Sequence, residues 1–318
     1  MKQMTFASAG FEQYAKPTRR SAFLGEMDRV VPWSALCRLV EPFYPKTGHG
    51  RPPVGLERML RLYFLQHWFN LADRAVEEAL YESLSMRRFV GIDLGREPVP
   101  DETTVCRFRH LLEQHDLGSR IFEEVYGHLE KSGLKISKGT IVDATIISAP
   151  SSTKNADKAR DPDMHQTKKG NQWYFGMKGH IGVDSRNKLI HSVAATAANV
   201  ADSEILPDLL HGEETRVWGD QAYRGQTDAI RKHAPKARDF TNRRCRHRGV
   251  VDEAERAKNR TKSKVRAKVE HAFHIIKRLF GFTKLRYRGL DKNAHHLFVL
   301  CALANLFMAR HHLMRQQA

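Results

Sequence analysis

Residues 139–150, GTIVDATIISAP, place a carboxylate, Asp143, inside a run of β-branched and apolar residues. Such a run predicts a buried strand, where a charged side chain is costly unless a cation neutralises it. The stretch TRVWGDQAYRG holds Asp220 at the end of another short apolar run, and KVRAKVEHAFHIIKR holds Glu270 on a strongly helical segment. These three carboxylates predict a site for divalent metal, provided that the fold brings them together.

The order of elements around these residues predicts the fold class. From about residue 136, strands and helices alternate. Strands are predicted at 140–148, 175–184, 188–197, 215–220 and 238–241, and the polar stretch 152–172 is predicted to be a loop. Helices are predicted from a cap at Asn199 through Leu210, and at 222–232, 252–280 and 292–314.

This is the element order of a ribonuclease H-like α/β fold, in which the first and fourth strands lie side by side in a mixed sheet. Ligands of open α/β sheets collect at the strand ends. Asp143 and Asp220 are therefore expected to be neighbours, with Glu270 supplied by a helix packed across the sheet.

The sequence predicts a separate all-α domain at residues 1–135 and the catalytic domain at residues 136–318. Apolar residues recur at helical spacing from Leu56 to Trp68, and Asp101 has the position of an N-cap, with Arg107 and Arg109 expected to face outward. Short helices joined by tight turns are compatible with a helix-turn-helix DNA reader. They are equally compatible with a bundle that dimerises or braces the second domain.

Charge is distributed unevenly between the two parts. The chain has a net charge of +17, yet residues 1–135 hold 19 basic and 18 acidic side chains, against 34 and 18 in residues 136–318. The segment 236–268 alone has 13 basic and 4 acidic side chains. A carboxylate metal site beside such a basic surface indicates chemistry on a polyanion, and the C-terminal half is expected to face its phosphates.

Other classes of protein lack support. The four cysteines form no C-x-x-C pair, which predicts reduced thiols in a cytosolic protein and no zinc site. The apolar stretch 297–307 is too short to cross a bilayer and predicts a buried helix. No Ser-His-Asp, Cys-His or H-E-x-x-H constellation is present.

The motifs resemble those of bacterial insertion-sequence DDE transposases, of the insertion sequence five family within the insertion-sequence-four-like superfamily. The matching blocks are VDATIIS around Asp143, GDQAYRG around Asp220, and Arg266, Glu270 and Lys277 at the spacing of the third block. Ser263 stands where that block has Tyr, so no role of that Tyr carries over. The resemblance covers most of the chain.

The resemblance implies a transposase that cleaves at terminal inverted repeats and transfers the 3′-OH ends into target DNA. Asp143, Asp220 and Glu270 are then the catalytic residues and the ligands of two Mg²⁺ ions, for which Mn²⁺ can substitute. Expected partners are double-stranded DNA and a second subunit, at least as a homodimer on DNA, in the bacterial cytoplasm at the nucleoid and away from membranes. The expected DNA contacts are Arg266, Lys277, Tyr223, Arg224, Arg243, Arg244, Lys262 and Lys264, with Arg246 and Arg248 in the same basic segment.

Two alternatives share these features. A non-catalytic DNA-binding regulator descended from such an enzyme would be free to lose the acidic triad, which is intact here. A stand-alone metal-dependent nuclease would keep the site but would not join the cleaved ends.

Overall fold

The protein structure is a computed structural model that describes residues 16–48, 52–156, 158–247 and 250–316. The N-terminal part of this described chain is helical. Its α-helices are α1 (Arg19–Val30), α2 (Trp33–Val40), α3 (Leu56–Phe69), α4 (Asp73–Glu82), α5 (Leu84–Val90), α6 (Glu102–Gln114) and α7 (Leu117–Lys131). The cap predicted at the start of α6 is confirmed, because Asp101 Oδ1 accepts the Thr104 N–H at 2.7 Å.

The C-terminal part contains a mixed sheet. Its strands are β1 (Gly139–Ser148), β2 (His165–Lys169), β3 (Gln172–Asp184), β4 (Ile190–Ala197), β5 (Arg216–Trp218) and β6 (Arg238–Asp239). The order across the sheet is β4-β3-β1-β5-β6, and β2 also pairs with β3. β1 is antiparallel to β3 and parallel to β5, which is parallel to β6. The predicted ribonuclease H-like arrangement is thereby confirmed.

Helices and a small ribbon complete this part. They are the 3₁₀ helices Asp202–Leu209 and Gln221–Tyr223, α8 (Thr227–His233), the ribbon β7 (Arg246–His247) and β8 (Val250–Val251), α9 (Glu253–Arg266), α10 (Val269–His274), a π-helical turn (Ile275–Leu279) and α11 (Leu290–Gln316).

Several predicted elements differ from the structure. The predicted loop 152–172 contains β2, whose polar residues give no apolar alternation because most of the strand is exposed to solvent. The helix predicted after Asn199 is a 3₁₀ helix without a side-chain cap, and Pro207 inside it has no N–H to donate. The helix predicted at 222–232 begins only at Thr227, because Gly225 adopts a left-handed conformation at φ +82°.

α11 holds the two parts of the chain together. It packs against α1, α3 and α7 of the helical part and against β4 of the sheet. Buried side chains from both parts form one continuous hydrophobic cluster. Although α11 is long and apolar enough to cross a membrane, 61% of its most apolar window is buried inside the protein. The prediction of a buried helix at 297–307 is thus confirmed.

Polar side chains fix the position of α11. Asn305 is fully buried, and its amide donates to the Ile190 carbonyl at 2.7 Å and accepts the Ile190 N–H at 2.8 Å. Asp161 and Asp163, in the β1–β2 loop, accept the N–H groups of the two residues where α11 begins, at 2.7 and 3.0 Å. The start of α11 is therefore tied to that loop, and its middle to β4.

Arg109 corrects a sequence expectation. Its side chain does not face outward but is buried, where it pairs with Asp73 at 3.1 Å and Glu113 at 3.0 Å. Its guanidinium also lies 4.2 Å from the ring centroid of Tyr287. Glu113 is one helical turn along α6, but Asp73 comes from α4 and Tyr287 from the segment before α11, so helical spacing within α6 did not reveal the burial. Arg107 is exposed, as predicted.

Three histidines lie in the core between α3 and α11. His67 and His296 stack with ring centroids 4.4 Å apart, and His295 Nε2 lies 3.1 Å from the Tyr63 hydroxyl. His67 Nδ1 lies 2.8 Å from the Tyr63 carbonyl oxygen, which can only accept, so this nitrogen carries the proton. Burial lowers the pKa of His67 to about 3 and that of His295 to about 4, and lowers the pKa of His296 as well.

We therefore expect the protein to lose stability in mild acid. The unfolded histidines bind protons below pH 6.5 while the folded ones stay neutral, so the free energy of unfolding falls as the pH falls from about 6.5 towards 4. Each such histidine contributes about 1.4 kcal/mol of loss at pH 5.5. His296→Leu should reduce the loss by about that amount when urea unfolding is compared at pH 7.5 and 5.5. His233→Gln, at an exposed position, is the control, and an equal loss in all three proteins would contradict the assignment.

Candidate active site and nucleic-acid interface

The parallel ladder between β1 and β5 sets the positions of two carboxylates. Ile141 pairs with Trp218 at the end of this ladder. Asp143 lies two residues after Ile141, and Asp220 lies two residues after Trp218. The two carboxylates therefore lie side by side where the strands separate. Asp220 is held by its own backbone turn, since its Oδ1 accepts the Ala222 N–H at 2.8 Å. The predicted neighbours therefore lie at the same edge of the paired strands.

Asp143 lies in an environment that disfavours its charge. Burial raises the pKa of its carboxyl from the ordinary value of 3.8 to about 6, and the negative charge of Asp220 acts in the same direction. The Ala144 N–H, at 2.9 Å from Oδ1, and Arg266, whose Nη1 lies 3.0 Å from Oδ2, oppose this rise in pKa. The two adjacent carboxylates are opposed by one guanidinium, so a bound cation would be electrostatically favourable here.

The helix that carries Glu270 is interrupted, whereas the sequence predicts one continuous helix. α9 ends at Arg266 and α10 begins at Val269. At the junction the N–H groups of Glu270 and His271 bond to carbonyl oxygens three residues earlier, in a tighter turn. Lys268 lies at the junction, and its Nζ donates to the Ser185 carbonyl at 2.6 Å. The two segments therefore need not present their side chains on one face.

Glu270 lies apart from the other two carboxylates in this arrangement. Its side chain is exposed and makes no hydrogen bond or ion pair within the described part of the chain. Across the same described residues, no three His, Cys, Asp or Glu side chains come close enough to hold a metal ion together. The structure thus brings Asp143 and Asp220 together and leaves Glu270 on a neighbouring helix that packs against β1.

Lys277 points at the strand that carries Asp143. Its ammonium donates to Thr145 Oγ1 at 3.1 Å and to the Ile146 carbonyl at 3.0 Å. Burial lowers the pKa of this ammonium, and the positive charges of Lys169 and Arg278 add to that effect. Lys277 therefore ties the π-helical turn to the strand just beyond the acidic pair.

Tyr223 corrects the expectation of a direct DNA contact. It is fully buried beneath the acidic pair, in a small cluster with Val142 and Val217, and its hydroxyl has no hydrogen-bond partner among the described residues. Burial raises the pKa of this hydroxyl, as do the negative charges of Asp202 and the two site aspartates. Arg224, the next residue, is exposed and remains available to a ligand.

The basic segment is anchored to α9. The Asn259 amide donates to the Arg243 carbonyl at 2.6 Å and accepts the Arg243 N–H at 3.1 Å. Lys262 donates to the Thr241 carbonyl at 3.0 Å and pairs with Glu255 at 3.5 Å. Its ammonium therefore already has partners within the protein, unlike that of an exposed DNA contact. The side chains of Arg243, Arg244, Arg246 and Lys264 are exposed, and Arg248 lies outside the described residues.

Sequence reasoning missed an ion pair beside the site. Lys178 of β3 lies 2.8 Å from Asp202, and its Nζ donates to the Val200 carbonyl at 2.7 Å. His180, two positions along the strand, bonds to Thr196 Oγ1 at 2.8 Å. A lysine and a histidine at alternate positions of the strand FGMKGHIGVD were the available signal. This polar cluster lies near Tyr223, on the face of the sheet away from α11.

Asp143→Asn is expected to stabilise the metal-free protein, because an amide carries no charge to desolvate. The folded carboxyl binds protons up to about pH 6 and the unfolded one only to about pH 3.8, so the wild type loses stability as pH rises through that window. The variant's advantage should therefore grow over this range, to at most about 3 kcal/mol.

The measurement is thermal unfolding in EDTA from pH 4 to 8, with exposed Asp208→Asn as the control. Added Mg²⁺ or Mn²⁺ should narrow the advantage, because the cation stabilises only the wild type. An advantage that does not change with pH would show that the carboxylate is not desolvated.

Lys277→Met tests whether this ammonium supports the fold. The variant keeps most of the alkyl chain but loses both hydrogen bonds to β1, so the free energy of unfolding should fall by about 1–2 kcal/mol. Arg278→Met, at the exposed neighbouring position, should change it by less than about 0.5 kcal/mol. Urea unfolding at pH 7.5 compares them, and equal stabilities would mean that the Lys277 charge is free to act on a ligand.

Comparison with known proteins places this site in a family. Residues 135–306 match the family described as transposase DDE domain, and residues 11–111 match a family described as transposase domain (DUF772). A solved structure, the cryo-EM structure of the piggyBac transposase synaptic complex with hairpin DNA, is similar over 95% of this chain and 78% of that chain, with 9% identity and a TM-score of 0.48. Because the first match covers more than half of the chain and spans Asp143, Asp220 and Glu270, the chain belongs to the transposase DDE domain family.

Proposed function

We propose that this DNA transposase cleaves at the terminal inverted repeats of an insertion sequence and transfers the 3′-OH ends into target DNA, with Asp143, Asp220 and Glu270 as its catalytic residues. The observation that carries the proposal is the adjacent pair Asp143, which is largely desolvated, and Asp220, just beyond the end of the parallel ladder between β1 and β5. The spacing of Arg266, Glu270 and Lys277 supports membership of the insertion sequence five family.

The donor set fits a hard divalent cation. DDE transposases depend on divalent metal, and carboxylate oxygens are the ligands that Mg²⁺ prefers. We propose two Mg²⁺ ions, with Mn²⁺ as a substitute, held by Asp143, Asp220 and Glu270. Bound there, the metal would favour deprotonation of the attacking group, which is a water in cleavage and the DNA 3′-OH in strand transfer. It would also stabilise the leaving 3′-oxygen.

Arg266 prepares Asp143 for that role. A carboxylate must be ionised to bind metal, and the Arg266 guanidinium opposes the effect of burial on the pKa of Asp143. At pH 7.5 the carboxyl, with a pKa of about 6, is mostly ionised. The 3.0 Å contact also fixes the orientation of Oδ2. Arg266 therefore acts as a positioning residue, and the quarter of its side chain that is exposed is proposed to contact a DNA phosphate.

Glu270 is proposed to complete the site when metal binds. A third carboxylate beside Asp143 and Asp220 would add repulsion in the absence of a cation, so an outward position is electrostatically favourable for the metal-free protein. The junction between α9 and α10 lies directly before Glu270, where a small change of backbone angles would redirect its side chain. The cation would then supply the attraction that draws the carboxylate inward.

DNA is the partner that the charge distribution favours. Arg224, Arg243, Arg244 and Lys264 are exposed on the catalytic half and can bind phosphates without reading sequence. We propose that the helical part recognises the element ends, and that two ends are joined by at least a dimer. The protein would act in the bacterial cytoplasm, at the nucleoid.

The test uses the full chain, Mg²⁺ and DNA that carries the repeats flanking its gene. Cleavage at the repeat ends and joined products are expected from the wild type. Asp143→Asn, Asp220→Asn and Glu270→Gln should each lower the cleavage rate by at least about a thousandfold, because each removes a metal ligand. All three should still bind DNA, and exposed Glu204→Gln is the control.

The products separate the remaining alternatives. Cleavage without joining would indicate a stand-alone nuclease, and binding without cleavage a regulator. Near-normal cleavage by Glu270→Gln would remove Glu270 from the site and leave a two-carboxylate centre.

A further inference from the structure

A two-stranded arm extends from the sheet beyond the end of β1. The ladder between β1 and β3 ends at the pair Ser148 and Gly176, and β3 pairs with β4 only from Met177 onward. Residues 165–175 therefore contain β2 and the start of β3, which pair with each other, while the Phe175 carbonyl at the base of the arm accepts the Ala149 N–H at 2.8 Å. With about five residues each, the two strands of the arm are roughly 15 Å long.

The arm has an unusual composition. Its sequence, HQTKKGNQWYF, contains no acidic residue and includes Lys168, Lys169 and three aromatic residues. Trp173 is 67% exposed, the most exposed tryptophan in the described part of the chain. Tryptophan is enriched at interfaces, and here its ring is held in solvent on a basic ribbon.

One face of the arm combines rings and cations. Lys168 and Trp173 are directly paired across the two strands, and the Lys168 ammonium lies 6.0 Å from the Trp173 ring centroid. Phe175, two positions further along the same face, has the Arg160 guanidinium 5.4 Å from its ring centroid. Aromatic rings that stack on bases, beside cations that bind the backbone, are the combination used to hold single-stranded DNA.

The arm is also connected to the catalytic region. It leaves the sheet at Ser148, on the same strand as Asp143, and Ser148 in turn bonds to the segment after the π-helical turn. The positive charge of Lys169, at the tip of the arm, acts on Lys277 and contributes to lowering the pKa of its ammonium. A DNA strand that reaches the acidic pair would therefore pass close to the arm.

We propose that this arm, residues 165–175, holds unpaired bases of the DNA strand beside the cleavage site, with Trp173 stacked on a base and Lys168 and Lys169 against its phosphates. The inference rests on the proposed function, because it names the form of DNA that the same site takes. Bases inside a duplex have both faces covered by their neighbours, so the Trp173 ring can stack only on a base that is unpaired or terminal.

The test compares two DNA forms with the full chain in EDTA, so that no cleavage is required. Competition against a labelled DNA, read by fluorescence anisotropy, gives the affinity for a relaxed circular duplex, which has no terminal base, and for a linear duplex with a single-stranded end of about four nucleotides, a length that one base-stacking site can hold. Trp173→Ala should weaken binding of the second DNA about tenfold. Its affinity for the circular duplex should stay within about twofold of the wild type, which is a change of less than about 0.5 kcal/mol.

Matched variants separate stacking from other effects. Trp173→Phe keeps a ring and should retain most of the affinity, whereas Tyr81→Ala, which removes an aromatic side chain that is 50% exposed in the helical part, should leave the difference in affinity between the two DNA forms unchanged. Lys168→Gln should reduce the slope of log affinity against log salt by about 0.7 for the single-stranded end. Thermal unfolding should be unchanged for Trp173→Ala, since the ring is exposed.

Three outcomes would overturn the proposal. An equal loss on both DNA forms would mean that the arm contacts a duplex groove, and no loss on either would mean that it does not contact DNA. A change in oligomeric mass by light scattering would make the arm a contact between subunits. Because binding is measured without metal, a wild type that prefers the single-stranded end but fails to cleave would contradict the proposed function and not this inference.

Discussion

The parallel pairing of β1 with β5 is the constraint on which the site depends. The ladder between these two strands, which come from distant parts of the chain, ends at Ile141 and Trp218, so Asp143 and Asp220 meet two residues beyond it without a dedicated contact between them. Burial and mutual repulsion then raise the pKa of Asp143, while Arg266 limits the rise. The protein tolerates this local electrostatic cost because a large shared core stabilises the rest of the fold.

Much of this arrangement follows from local sequence pattern. Runs of β-branched residues identify β1 and β5, and the order of elements identifies the sheet, so the proximity of Asp143 and Asp220 is predictable from the amino-acid sequence alone. The cap at Asp101 is predictable for the same reason, since it needs only residues three positions apart. Each of these signals depends on residues close together in the chain.

The features that the sequence did not predict depend on distant partners. Arg109 is buried because Asp73 and Tyr287 surround it, and Tyr223 is buried because β1 and β5 close over it. The interruption before Glu270 contains neither glycine nor proline, and contacts of Arg266 and Lys268 with the sheet region flank it. The sequence did not predict the arm at 165–175, because a strand that is mostly exposed to solvent does not need the apolar alternation by which strands are recognised.

The position of α11 has a consequence for how the protein is made. The helical part is synthesised before the sheet, and the helix that packs on both, residues 290–316, is synthesised after them. Domains usually fold in order as they emerge, yet here neither part can close its core until α11 has left the ribosome. Nascent chains must therefore keep apolar surface exposed until that point, and a chain truncated before α11 would leave both parts open to chaperones and proteases.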